Sequence, residues 1–222
     1  MKHAIAILYL LVIVSIQCVA QGRGFFENNK DKKFYGGAIG GLNFSALNGD
    51  IYDGYRKVGF NAGGTIYVRL LSRLHASVEL LYTQKGCRGV RVFDSYYVGT
   101  FVESYKVNLN YLELPLVLHF LLNDKWSIGV GGAYAGLIKS SEEVFTDQPI
   151  TFSPDKNAFV REDVSLVLNA NMQFYKGWFL GLRYQHSMAS IRDADKIPYW
   201  FSDGSGRQTN TLFSLRLMYL IN

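Results

Sequence analysis

The chain has 222 residues, a length for one domain, with 49% hydrophobic and 15% aromatic residues, 22 glycines, 4 prolines and a formal charge of +5. Its basic residues are scattered rather than gathered in a stripe, which excludes the footprint of a nucleic-acid-binding surface. Many aromatics and glycines with little proline suit long strands in close backbone contact better than helices.

Lys2, an apolar run from Ala4 to Ile16, and Gln17-Cys18-Val19-Ala20 give the charged, apolar and small-residue order of a secretory signal. The run is about 13 residues, short of the roughly 20 that a spanning helix needs. Residues 1–20 are therefore read as a signal peptide cleaved after Ala20, followed by a periplasmic N-terminal segment at 21–33 and a barrel at 34–222. Gln17 stands where lipid attachment at Cys18 would need a small residue, so no lipid anchor is expected. The mature chain then keeps only Cys87, a bland residue at a strand end, which excludes an intramolecular disulfide and a cysteine metal cluster.

Alternation of period two predicts strands at about 34–46, 57–70, 75–86, 104–121, 125–139, 162–174, 177–189 and 210–221. In the last, Thr211, Phe213, Leu215, Leu217, Tyr219 and Ile221 share one face, and Asn210, Ser214 and Arg216 the other. The fourth changes phase: Val107 and Leu109 are apolar on one face, Leu112, Leu114, Leu116 and Leu118 on the other. A β-bulge near Asn110-Tyr111 is expected to reset it, and Pro115, with no amide donor, predicts an irregularity nearby.

Short links at Leu71-Ser72-Arg73, Asn123-Asp124-Lys125 and Tyr175-Lys176-Gly177 interleave with longer ones near 47–56, 87–103, 140–161 and 190–207. Short turns facing the periplasm and long loops facing outside are the pattern of outer-membrane barrels. The predicted fold class is all-β, an eight-stranded antiparallel up-and-down transmembrane β-barrel with both ends on the periplasmic side. A soluble barrel of eight strands also alternates, with its apolar phase inward. Here the polar phase is mostly Gly, Ala, Ser, Asn and Gln with few charges, too weakly polar to be an outer surface in water. Aromatics near strand ends, Trp126, Trp178, Phe174, Tyr219 and Tyr82, also fit an interfacial girdle.

In that orientation Glu79, Glu113, Arg183 and Arg216 point inward, since an arginine facing lipid near the midplane costs roughly 2–4 kcal/mol. With Asn169, Asn171 and Gln173 they are expected to form one hydrogen-bonded ionic plug, because a buried charge without a partner is far costlier than a paired one. His75, His119 and His186 fall on different strands with no metal-ligand spacing. Glu142-Glu143, with Asp147 close by, reads as a solvated stretch of loop. Ser187 and His186 point to opposite faces of one strand, so no nucleophile has a positioned base. No enzymatic activity, cofactor or metal is expected. The long loops carry Phe145, Phe152, Tyr199, Trp200 and Phe201 as candidate contacts for a partner.

VRLLSRLHASVELLYTQKG at 68–86 and NYLELPLVLHF at 110–120 closely resemble the outer-membrane β-barrel domain family of Bacteroidetes, the PorT-like group. GVGGAYAGLI at 129–138, GLRYQHSM at 181–188 and the ending TLFSLRLMYLIN also fit. The resemblance implies an integral barrel in the outer membrane, in contact with its lipid, and implies no activity. A structural or loop-mediated binding role in the cell envelope is expected, toward an envelope protein or surface polymer. The alternative is a component of a secretion or transport assembly, since one member of the group belongs to the type IX secretion apparatus. Asn222 departs from the aromatic terminus common in such barrels.

Overall fold

The computed structural model describes residues 24–28, 31–50, 54–90, 102–146, 158–197 and 202–221. Alternating side chains fold them into β1 (Phe34–Asn48), β2 (Lys57–Arg69), β3 (Leu74–Val90), β4 (Val102–Leu121), β5 (Trp126–Thr146), β6 (Glu162–Tyr175), β7 (Trp178–Ser187) and β8 (Thr209–Ile221). Each strand pairs antiparallel with its chain neighbours, and β8 closes onto β1. A one-turn helix, α1 (Phe25–Asn28), precedes β1, and a 3-10 turn at Ala194–Lys196 lies between β7 and β8.

The three short links and the start of β1 mark one end of the barrel, the turn end; the long connections mark the loop end. Two of the short turns show why they are tight. Asn123 Oδ1 accepts the amides of Lys125 and Trp126 at 2.9 and 2.8 Å, and Gly177 supplies the left-handed φ of +74° between β6 and β7.

Alternation decides which side chains are inside. Along β8, Leu212, Ser214, Arg216, Met218 and Leu220 are buried in the lumen while Phe213, Leu215, Leu217 and Tyr219 face out. On β4 the outward row is Leu112, Leu114, Leu116, Leu118 and Phe120, each about half exposed. From Leu112 to Leu122 the path is about 33 Å at ~3.3 Å per residue, or roughly 25 Å of height at a tilt near 40°. A continuous apolar belt outside with charges inside is stable only against hydrocarbon. Trp126, Phe174 and Tyr219 rim the belt at the turn end, with the Trp178 and Tyr219 rings 4.8 Å apart. Tyr82 sits higher, against Phe60, and Phe213 stacks between Tyr55 and Tyr184 at 5.0 and 5.1 Å.

The phase of β4 is not reset at Asn110-Tyr111, contrary to the sequence reading. The register of β3 with β4 runs through both residues unbroken. A shift does occur at that level, but on the other side: Asn110 faces Lys139 and Tyr111 faces Leu137, so the extra residue is Ile138 of β5. Val107, Leu109, Tyr111 and Glu113 all point inward. What changes is the surrounding medium. Toward the loop end the outward residues become Asn110, Asn108 and Lys106, and the lumen fills with Leu47, Tyr105, Val107, Leu109 and Tyr111. The barrel is built for lipid below this level and for water above it. Pro115 faces the lumen, and the β3–β4 pairing is interrupted beside it, between Val78↔Leu116 and Leu81↔Glu113.

Strands at the loop end are longer than alternation indicated. Because β3 reaches Val90 and β5 reaches Thr146, the links expected at 87–103 and 140–161 are partly strand. Beyond the belt both strand faces become mixed in polarity, which erases the period-two signal.

Candidate functional site

The lumen is occupied in layers. At the turn end, α1 enters the mouth and buries Phe25 and Phe26. Phe26 lies 4.5 Å from the His75 ring and 5.3 Å from that of Tyr35, and Phe25 lies 5.9 Å from Phe179. Gln173 Oε1 accepts the Phe25 amide at 2.7 Å, giving the helix start a partner. Beside this plug His75 stands opposite His119 on the inner wall, and His119 Nε2 is 2.8 Å from Ser77 Oγ. The two histidines read as isolated on separate strands are therefore neighbours: spacing along the chain does not register a cross-strand pair. Among the described residues no three His, Cys, Asp or Glu side chains gather into a metal-holding group.

The next layer is ionic. Arg183 Nη2 reaches both oxygens of Glu79 at 2.9 Å, Arg216 Nη2 reaches Glu79 Oε2 at 2.8 Å, and Arg183 Nε donates to Asn169 at 2.8 Å. Gly41 leaves room for Arg216, since a Cβ there would stand 3.1 Å from its Cγ and 2.5 Å from the Leu215 carbonyl oxygen. Above it Asn43 Oδ1 accepts from Asn61 and Ser214 at 2.6 and 2.7 Å. A cavity of about 10 Å³, room for a single water, lies here among Asn61, Thr83, Glu113, Arg183 and Arg216.

A second ionic layer follows. Lys85 Nζ lies 3.1 Å from Glu113 and 3.2 Å from Asp163, 5.0 Å from the centre of the Tyr111 ring, and Asn210 donates to Asp163 at 3.2 Å. Within the barrel Glu79, Glu113 and Asp163 face Lys85, Arg183 and Arg216, three charges against three. Toward the loop end the apolar cluster around Val107 and Leu109 closes the passage, with Cys87 buried in it.

The connection after β7 caps this cluster. Ile191 joins it, its amide donating to Gln208 O at 2.7 Å and its carbonyl accepting from Val160 at 2.8 Å. Arg192, fully buried, holds Glu142 at 2.6 Å and lies 3.8 Å from the Phe159 ring centre, while Tyr105 donates to the same carboxylate. Glu142 is thus an inward residue of β5 in an ion pair rather than part of a solvated loop, and Glu143 beside it faces out to Lys106 at 3.5 Å. The reading failed because β5 continues past the point where its alternation fades.

The residues expected in one plug are divided among layers. Glu79, Arg183, Arg216 and Asn169 meet directly; Glu113 belongs with Lys85 and Asp163; Gln173 holds α1; Asn171 is buried beside Gly181. Lys85 and Asp163 were missed, although each follows in inward phase from Glu79 and Ser165. Ser187 and His186 go separate ways: Ser187 Oγ accepts the Asn210 amide at 3.2 Å, and His186 Nδ1 lies 2.8 Å from Thr211 Oγ1. Phe145 is exposed at the loop end, and Phe152, Tyr199, Trp200, Phe201 and Asp147 lie outside the described residues, as does the segment at 1–20.

The family model described as outer membrane protein beta-barrel domain matches residues 20–193. Among solved structures the chain is similar to Ail, the attachment invasion locus protein of Yersinia pestis, with 12% identity over 86% of this chain and 100% of that one and a TM-score of 0.45. It is also similar to Neisserial surface protein A, with 10% identity over 84% and 96% and a TM-score of 0.43. The outer membrane protein OprG from Pseudomonas aeruginosa shows 10% identity over 85% and 94%, with a TM-score of 0.39. No curated protein matches the chain.

Proposed function

The chain belongs to the outer membrane protein beta-barrel domain family, and from that premise we propose that it is a sealed barrel that serves the cell envelope through its outward-facing surface, without a catalytic centre and without a conduit. The observation that carries this reading is the layering of the lumen. An aromatic plug, two ionic layers and an apolar cap succeed one another between the two mouths. Eight strands enclose an interior just wide enough for side chains, and here the charged ones are held in ion pairs with one another. Contact with a surface polymer or another envelope protein then falls to the loop end, where Phe145 is exposed.

The proposal includes export by a signal cleaved after Ala20 and a place in the PorT-like branch of Bacteroidetes barrels, both supported by the sequence segments quoted above. Its test is planar-bilayer recording of the purified full chain. A sealed barrel gives no steady current, and a steady current of fixed unit size overturns it. Stoichiometric co-purification with a large envelope complex would move the role to a secretion or transport assembly.

A further inference from the structure

Among the described residues, the loop end leaves a long edge of β5 without a strand neighbour. β5 pairs with β6 only as far as Gly136↔Glu162, and Leu137 donates its amide to Arg161 O. Further back in the chain, Val160 donates to Ile191 O, so this stretch crosses the barrel mouth instead of following β5 upward. On its other side β5 stays paired with β4 up to Val102↔Thr146. From Ile138 to Phe145 one edge of β5 is thus satisfied, while the other meets no strand among the described residues. A long open edge presents a row of unpaired amides and carbonyls that an extended backbone satisfies.

The side chains along this edge indicate what fits. Ile138 and Phe145 are 61% and 57% exposed and face outward. Between them stands Lys139, whose ammonium has no carboxylate partner among the described residues, while Glu143 is already engaged by Lys106. A second copy does not meet the requirement within one membrane. Like edges pair antiparallel about an axis normal to the sheet, and that rotation would turn the second barrel upside down.

We propose that the β5 edge from Ile138 to Phe145 is a strand-addition site for an extended segment of another polypeptide. That segment runs antiparallel, with an acidic side chain opposite Lys139 and an apolar one opposite Phe145. This deepens, and rests on, the reading of a barrel that acts through its outward surface.

The segment's own sequence supplies a probe. A labelled peptide copying residues 137–145, LIKSSEEVF, can lie antiparallel on the edge with its Leu against Phe145 and its second glutamate against Lys139, both on the outward face. The full chain in nanodiscs should bind it saturably in fluorescence anisotropy, and hydrogen exchange across 138–145 should slow on binding. K139E should weaken binding about fivefold, the scale of one cross-strand charge pair reversed, and a peptide with lysine in place of that second glutamate should recover it. Alternate N-methylation of the peptide backbone should abolish binding.

The proposal is overturned by no binding, by binding indifferent to N-methylation, or by protection in the free protein of those amides of 138–145 that point away from β4, which would mean that the chain covers its own edge. Cross-linking of two S141C barrels in one nanodisc would also overturn it, in favour of a second copy. Bilayer recording on the same sample separates the two readings: a silent barrel that ignores the peptide loses only the edge site, and a conducting one loses the sealed-barrel reading.

Discussion

One guanidinium nitrogen of Arg183 lies 2.9 Å from each oxygen of Glu79, across the lumen and 104 residues away in the chain. With Arg216 on the same carboxylate, Glu79 is in direct contact with two buried cations. Glu79→Gln should therefore destabilise the folded barrel by roughly 3–5 kcal/mol, the usual cost of breaking a buried pair from one side. Urea unfolding in detergent, followed by gel mobility without boiling, measures it. Replacing Glu79 and Arg216 together with Gln and Met should recover part of the loss, since the interior then keeps two carboxylates, Glu113 and Asp163, against two cations, Lys85 and Arg183.

The change of medium along β4 is testable by position. Leu116→Arg, in the middle of the outer belt, should cost roughly 2–4 kcal/mol, and Asn108→Arg, beyond the belt, about 0–1 kcal/mol. Equilibrium folding into lipid vesicles compares the two. Equal costs would mean that the belt extends past Asn108.

Removing the aromatic plug should loosen the N-terminus without opening a passage. In Phe25→Ala/Phe26→Ala, α1 loses its contacts with Tyr35, His75 and Phe179, so added protease should clip the chain before β1. The heat-dependent gel shift should persist and bilayers should stay silent, because the two ionic layers remain. A current in this variant would place the seal in the plug alone.

Cys87 reports on the cap. It is buried among Tyr105, Val107 and Ile191, so a maleimide reagent should leave it unlabelled in the folded barrel. Arg192→Ala removes the pair with Glu142 and the contact with Phe159. Labelling should then accelerate roughly tenfold or more, the factor that ~1.4 kcal/mol of easier opening represents. Unchanged labelling would show that the apolar cluster holds the cap without Arg192.

Strand number, closure and inward phase were legible because one face of each strand must meet lipid for some ten residues, which forces a strict alternation that chain inspection detects. The inward position of Arg183 and Arg216 follows from the same parity. What the chain did not disclose are relations across strands and beyond the belt. His75 and His119 are 44 positions apart and become neighbours only through register. Lys85 stands in phase with Glu79, yet its partner Asp163 comes from a strand on the far side of β4 and β5. The upper part of β5 lost its pattern where water replaces lipid, which hid both Glu142 and the open edge. Phe25-Phe26 carries no periodicity at all, and its burial depends on a mouth wide enough to receive two rings.

The change from asparagine to leucine on the outward face of β4, between Asn110 and Leu112, also acts as a draught mark. Raising the barrel by one residue pair would lift a ring of leucine and aromatic side chains into water, and lowering it would drown a ring of asparagine and lysine in hydrocarbon. Both displacements are opposed on many strands at once, so the barrel rides at a set depth. When bilayer thickness varies, the lipid is the softer element and adjusts to the protein. The loop end therefore stands at a constant height above the surface, and whatever it touches is met at a fixed distance from the cell.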